Sequence, residues 1–411
     1  MKPTDRRSFM KGSAAVAAGL TFPGWGARVA RAQAKDPIKV GFLTPLTGAY
    51  AAEAADQQTG ATLAVEEINA RGGLLGRKVE LLIRDDQLKP GVGAQKAKEL
   101  IESEKVQFMA GGFSAAVQMA VNEQTKKAKV IYVSTGQSNE ITAMPDWSPY
   151  TFHEAINPFI SAHAAGTWAA NNLGKRFYVL AADYAYGHQL LDGFTRVAKA
   201  TGGTMVGSAN HPIGTGDYSA FFPRIQAAKP EVLVLANFGK DQLNSVKQAH
   251  SFGLKQQMKL FCPILLGTMR REGGPDIFEG VYGSTTFYWE LAEKLPSARR
   301  FVDAYQKRFT RLPFDYAGYA YSGVRLMLEA AERAKSLEPD KVAAALGGHA
   351  YEHYKGKQWI RKCDHQSFQD VYIIRSRTAK EQRGESGIFD IVARVEASES
   401  LERSCKDLGH A

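Results

Sequence analysis

Two imidazoles and a carboxylate stand in the H-x-x-E-H spacing of metal-dependent peptidases at His349-Ala350-Tyr351-Glu352-His353. Such a site needs a long helix and a third ligand. Here the segment lies between Gly347-Gly348 and Tyr354-Lys355-Gly356, which reads as an irregular turn carrying two surface histidines. An exported metalloenzyme using His349 and His353 is the rival reading from another class. Gly112-Phe113-Ser114-Ala115-Ala116 approaches the G-x-S-x-G nucleophile elbow but lacks its second glycine, and no histidine is placed to serve Ser114. Gly91-Val92-Gly93 lacks the strand–helix context and third glycine of a dinucleotide fingerprint, and no phosphate loop is present. No catalytic set emerges, so neither enzyme activity nor a metal or cofactor is expected.

Binding chemistry is better represented. Ser114 and the backbone N–H groups of Ala115 and Ala116 would open a helix, where small side chains let an anion approach the amides. Ser134, Thr135, Gln137 and Ser138 supply hydroxyl and amide donors in the next such loop. Taken singly, each serine reads as a helix cap or turn hydroxyl; two such loops on neighbouring strands make a pocket. Tyr184, Tyr186 and Phe238 would project from corresponding loops further along, able to close over an apolar or planar ligand.

These loops must be held by strands. Ile38–Leu43, Val79–Ile83, Val106–Ala110 and Val130–Val133 read as strands, separated by helices through Ala61–Ile68, Ala97–Ile101 and Val117–Lys127. This alternation predicts a parallel sheet covered on both faces. The pattern restarts with strands at Arg176–Ala181, Thr204–Gly207, Glu231–Ala236, Lys259–Phe261 and Val281–Thr286, and helices near Leu190–Ala198, Tyr218–Ala228 and Asp241–Phe252. Helices at Ala298–Phe309 and Ala320–Ala334 follow, and a strand at Val371–Ile374 has no evident partner of its own. In open parallel sheets ligands sit beyond the carboxyl ends of strands, where the donor loops fall.

The amino terminus reports the compartment. Arg6-Arg7, a Gly/Ala-rich apolar segment over Gly12–Phe22 and Ala30-Arg31-Ala32-Gln33-Ala34 make a twin-arginine-type export signal over residues 1–34. Its apolar part is shorter than the ~20 residues that span a bilayer. Removing it takes away six basic residues and Asp5, lowering the formal charge from +10 to +5, which does not point to nucleic acid. No later segment is apolar for long enough to enter a membrane. Cys262 lies in an apolar stretch and reads as a buried thiol; Cys363 and Cys405 are the expected disulfide, pinning an otherwise loose tail.

Ile38–Gly48, Gly60-Ala61 and Glu66-Glu67-Ile68-Asn69-Ala70-Arg71-Gly72-Gly73-Leu74-Leu75-Gly76-Arg77 closely resemble the start of periplasmic leucine/isoleucine/valine-type solute-binding proteins. Arg84-Asp85-Asp86, Asp183–Gly187, Tyr218–Phe221 and Gly318–Tyr321 extend the likeness over nearly the whole mature chain. The resemblance implies an α/β fold of two lobes, each a parallel sheet flanked by helices, with three hinge crossings near Ala155–Pro158, Gly283–Phe287 and Asp364–Phe368. It implies lobe 1 over residues 35–155 and 287–365, lobe 2 over 156–286 and 366–400, and a tail over 401–411. Carried over by position, the carboxylate-binding loop falls on Ser114, Ala115 and Ala116, the second loop on Ser134, Gln137 and Ser138, and the lobe-two aromatics on Tyr186 and Phe238.

One departure bears on the ligand. Amino-acid receptors of this family hold the α-ammonium with an acidic residue after the strand that here is Lys259–Phe261, where this chain has Pro263-Ile264-Leu265. Burying an ammonium with no carboxylate costs several kcal/mol. Asp183 and Glu140 are the other carboxylates that could take that place. The expectation is a monomeric periplasmic receptor that captures a small organic solute, an aromatic or aliphatic carboxylate or an amide, and delivers it to an ABC permease in the inner membrane. A branched-chain amino-acid receptor of the same type, or a sensor passing closure to a signalling partner, are the alternatives.

Overall fold

The computed structural model describes residues 36–410. The export signal lies outside them. In the first part of the chain β1 (Ile38–Thr44), α1 (Ala51–Ala70), β2 (Val79–Asp85), α2 (Pro90–Lys98), β3 (Phe108–Gly111), α3 (Ala115–Ala128), β4 (Ile131–Ser134) and β5 (Thr151–His153) alternate. The strands form an all-parallel sheet in the order β2-β1-β3-β4-β5. β3 and β4 are buried at every residue because helices cover both faces, which is why they read as unbroken apolar runs. β5 is three residues long and carries no such run, so periodicity does not reveal it.

The second part holds α4 (Pro158–Ser161), α5 (Thr167–Asn172), β6 (Arg176–Ala182), α6 (Ala185–Ala200), β7 (Thr204–His211), α7 (Phe222–Ala228), β8 (Val232–Ala236), α8 (Gly239–Ser251), β9 (Lys259–Cys262), α9 (Gly267–Phe278) and β10 (Tyr282–Thr285). Next come α10 (Pro296–Phe309), α11 (Asp315–Ala334) and α12 (Pro339–Leu346), which pack back on the first sheet. A small antiparallel sheet follows, made of β11 (Ala350–Tyr351), β12 (Gln358–Ile360) and β13 (Ser367–Phe368). β14 (Val371–Ser376) and β15 (Phe389–Val395) end the regular structure.

The second sheet runs β15-β14-β10-β9-β8-β6-β7. Its five central and far strands are parallel, while β14 pairs antiparallel with both β10 and β15. The strand at Val371–Ile374 therefore does have partners, contrary to the sequence reading. β15 escaped notice because it is a half-exposed edge whose apolar residues are interrupted by Asp390 and Arg394. The two sheets form the two halves of an α/β molecule, each with its own apolar core.

Cys363 and Cys405 are joined as a disulfide, with Cα atoms 6.1 Å apart. Beyond it the tail is docked rather than loose: Leu408 is buried, its carbonyl accepts from Met144 N at 2.9 Å, and His410 lies 2.8 Å from the Thr142 carbonyl.

Candidate functional site

Loops at the carboxyl ends of both sheets meet across a seam between the halves. Gly111 and Gly112 turn the chain after β3 with φ of +98° and +77°, a left-handed path open to glycine. That turn delivers Phe113 and Ser114 to the start of α3. Ser114 is in extended conformation and caps the helix, its Oγ accepting from Val117 N at 3.3 Å. The first-turn amides of Ala115 and Ala116 have no partner within the helix, which leaves them available to an acceptor. Ala115 is buried at the seam, whereas the Ala116 side chain is exposed.

From the loop after β4 only Gln137 reaches the seam; it is buried, and its Nε2 donor has no hydrogen-bond partner. Ser134 is turned into the sheet toward the Gly111 carbonyl at 3.5 Å, and Ser138 Oγ is engaged by the Glu140 carboxylate. Thr135 accepts from Gln57 Nε2 at 3.0 Å, inside the first half.

The opposing half contributes Tyr184 and Tyr186 from the start of α6 and Phe238 from the cap of α8. Together with Tyr50, Phe113 and Tyr316 they form a box of six rings. Phe113 stacks on Tyr316 with centroids 4.9 Å apart. Phe238 stands edge-on to Tyr50, Phe113 and Tyr316 at 5.0, 5.4 and 5.4 Å. Tyr186 lies edge-on to Phe238 at 6.5 Å, and the Tyr50 and Tyr184 hydroxyls are 3.4 Å apart across the seam. The cavity between them is about 10 Å³, room for about one water.

Tyr50, Phe113 and Tyr316 join residues expected from the sequence. Tyr50 lay in the loop after the first strand and Phe113 beside Ser114; Tyr316 was hidden because α11 begins five residues before the apolar spacing read from Ala320. Burial holds the phenols of Tyr184, Tyr186 and Tyr316 far above their usual range, so each remains a neutral donor at any physiological pH.

No carboxylate lines this box. Asp183 is exposed and pairs with His188 at 2.8 Å, and Glu140 accepts from Gln189 Nε2 at 2.5 Å. After β9, Pro263, Ile264 and Leu265 are buried, and the Ile264 carbonyl accepts from Gln242 at 2.7 Å. A larger groove of about 940 Å³ lies elsewhere, between the start of α10 and β15. Several of its charges are paired, with Arg377 on Glu290 and Asp390 and Arg394 on Asp370.

The H-x-x-E-H segment is corrected by the fold. Ala350-Tyr351 is strand β11, and His353 is not on the surface: its Nδ1 is 2.9 Å from Ser322 Oγ and its Nε2 3.0 Å from Glu329 Oε2. Against the upward push of burial, His353 and Arg325 hold Glu329 down to about 2. This Ser–His–Glu chain has the connectivity of a nucleophilic triad, but Ser322 is completely buried. Among the described residues no group of three His, Cys, Asp or Glu is arranged to hold a metal.

Two α/β halves with strand-end loops converging on an aromatic, donor-lined seam define a receptor that closes over a small solute. Residues 37–382 match the periplasmic binding protein family, and residues 3–23 match the twin-arginine translocation signal. The chain belongs to the periplasmic binding proteins and is exported to the periplasm, where it serves as the solute-binding component of an ABC transporter. It is 27% identical to Leu/Ile/Val-binding protein homolog 7 of Brucella abortus over 77% of this chain and 82% of that one. The fold superposes on an amino acid ABC transporter substrate-binding protein from Pseudomonas fluorescens with a TM-score of 0.84 at 25% identity, covering 91% of this chain and 99% of the other. It also superposes on a solute-binding protein of an ABC transporter from Rhodopseudomonas palustris, solved with 3,4-dihydroxybenzoic acid. There the TM-score is 0.79 at 26% identity, over 88% of this chain and 98% of that one.

Proposed function

We propose that this receptor captures a small aromatic carboxylate lacking an α-ammonium. The observation that carries the reading is a box of six aromatic rings, with one unpaired buried amide donor at Gln137 and no carboxylate among the residues that line it. In this reading the solute carboxylate takes the first-turn amides of α3 at Ala115 and Ala116, with Gln137 Nε2 as an added donor. The solute ring replaces the ring–ring contacts of Phe113, Tyr186, Phe238 and Tyr316, gaining apolar burial at roughly 25 cal/mol per Å². An ammonium in the same place would lose its hydration with no anion to receive it. The Rhodopseudomonas relative's dihydroxybenzoate supports this chemistry.

The branched-chain amino-acid reading has the Brucella relative's name behind it. A thermal-shift screen separates the two, because a ligand that binds only the native fold raises its melting temperature. The expected result is a shift with benzoate, 4-hydroxybenzoate or 3,4-dihydroxybenzoate and none with leucine, isoleucine or valine. A shift with leucine alone would overturn the aromatic reading.

The chain acts as a monomer that delivers its solute to an inner-membrane permease and performs no catalysis. It bends at Ala155–Pro158, Gly283–Phe287 and Asp364–Phe368, which divide lobe 1 (35–155, 287–365) from lobe 2 (156–286, 366–400). Lys355 supports this hinge assignment: its Nζ donates to the Thr286 carbonyl at 3.0 Å and to Gln369, whose side chain bonds the Glu154 carbonyl.

A further inference from the structure

Glu53 lies in the first turn of α1, three residues beyond Tyr50, between the halves but outside the lining of the six-ring box. It is 1% exposed. Oε1 accepts a hydrogen bond from Thr268 Oγ1 in the first turn of α9, which belongs to the opposing half. Oε2 meets no donor at all.

The titratable groups that face Glu53 are Asp56 on α1, Asp315 and Tyr316 at the start of α11, and Tyr50 just before α1; the two carboxyls are acidic and the two phenols are neutral. The nearby cations are committed elsewhere. Arg311 Nη1 sits 2.5 Å from Asp56 Oδ1, and the Arg271 guanidinium lies over the Phe314 ring at 4.7 Å. A buried carboxylate held only by the Thr268 hydroxyl and its own backbone amide, with two acidic neighbours, is strongly disfavoured in its charged form. The neutral acid keeps the Thr268 hydrogen bond and removes the charge.

We propose that closing the two halves loads one proton onto Glu53, so that solute capture by this receptor is coupled to proton uptake. Opening breaks the Thr268 contact and returns water to the carboxyl. Burial is the main cause of the upward shift, which carries the Glu53 carboxyl from 4.5 to about 8 in the closed form. The sign follows from linkage. A group whose closed-state value is raised favours closure fully below its open-state value, and that advantage is lost as pH rises through the closed-state value. The closed-to-open ratio therefore falls up to tenfold per pH unit between about 4.5 and about 8.

The inference builds on the two-half receptor but not on the identity of its solute, so its test uses the mature chain with no solute added. Small-angle X-ray scattering is recorded from pH 5.5 to pH 8.5 on the wild type and on Glu53→Gln, an isosteric amide that cannot ionise. The expected result is a radius of gyration that rises with pH in the wild type and stays at its low-pH value in the variant. Glu53→Met, of similar length, serves as the second variant if the amide misfolds. A wild-type radius constant over this range, or a variant that keeps the wild-type pH response, overturns the proposal. Failure of the aromatic acids in the thermal screen leaves this outcome untouched, so the two readings fail separately.

Discussion

Tyr186 shows how much of the proposed site rests on single side chains. It is buried against Phe238 and Tyr184, and its hydroxyl stays protonated, so it offers a ring face and a neutral donor together. Tyr186→Ala is expected to weaken binding of the solute identified by thermal shift at least tenfold, which is ~1.4 kcal/mol. Titration calorimetry checks it, and unchanged affinity would remove Tyr186 from the site. Gln137 tests the polar end. Gln137→Leu keeps the bulk and deletes the unpaired Nε2 donor, so an aromatic carboxylate should lose affinity while an uncharged aromatic of the same size should not. A loss of roughly 1.5–3 kcal/mol is expected for a hydrogen bond to a charged group. Residue identities made Ser114, Gln137, Tyr186 and Phe238 legible in the sequence because each follows a recognisable strand. Tyr50, Phe113 and Tyr316 belong to the same box, but their sharing it depends on contacts between segments far apart in the chain.

At the scale of elements, closure depends on how near α8 can come to the loop before α1. Gly239 opens α8 with φ of +53°, and a Cβ there would lie 2.5 Å from the Ala49 carbonyl oxygen and 2.6 Å from the Tyr50 ring. Its neighbour Lys240 donates its backbone N–H to that same carbonyl at 3.3 Å. The missing side chain thus lets the halves meet. Gly239→Ala is expected to hold the seam ajar and lower solute affinity about tenfold or more, while leaving each sheet intact. Calorimetry with circular dichroism would show this, and wild-type affinity in the variant would refute it. The helix–strand alternation was readable because buried parallel strands and amphipathic helices have different periods. The small sheet β11-β12-β13 and strands β5 and β15 were not, being short or half-exposed and stabilised by their neighbours.

The whole molecule is closed off by its last residues. The Cys363–Cys405 bridge spans 42 residues, and the tail beyond it packs on the loop around Met144, while Arg403 donates to the Asn139 carbonyl at 3.2 Å. Cys363→Ser is expected to lower global stability by roughly 4 kcal/mol in the chain-entropy picture, read by urea unfolding. Dithiothreitol should reproduce that loss in the wild type and change nothing in the variant.

From the order of its residues alone, this chain declares export, a repeated α/β pattern and a family of solute receptors. Those properties are local or additive: a signal is read as a linear string, and periodicity survives in any window of a dozen residues. The aromatic box, the burial of His353 and the seam position of Glu53 were decided by tertiary structure. Each depends on which distant segments exclude water from the same small volume, and that is set only when the two sheets fold and face one another.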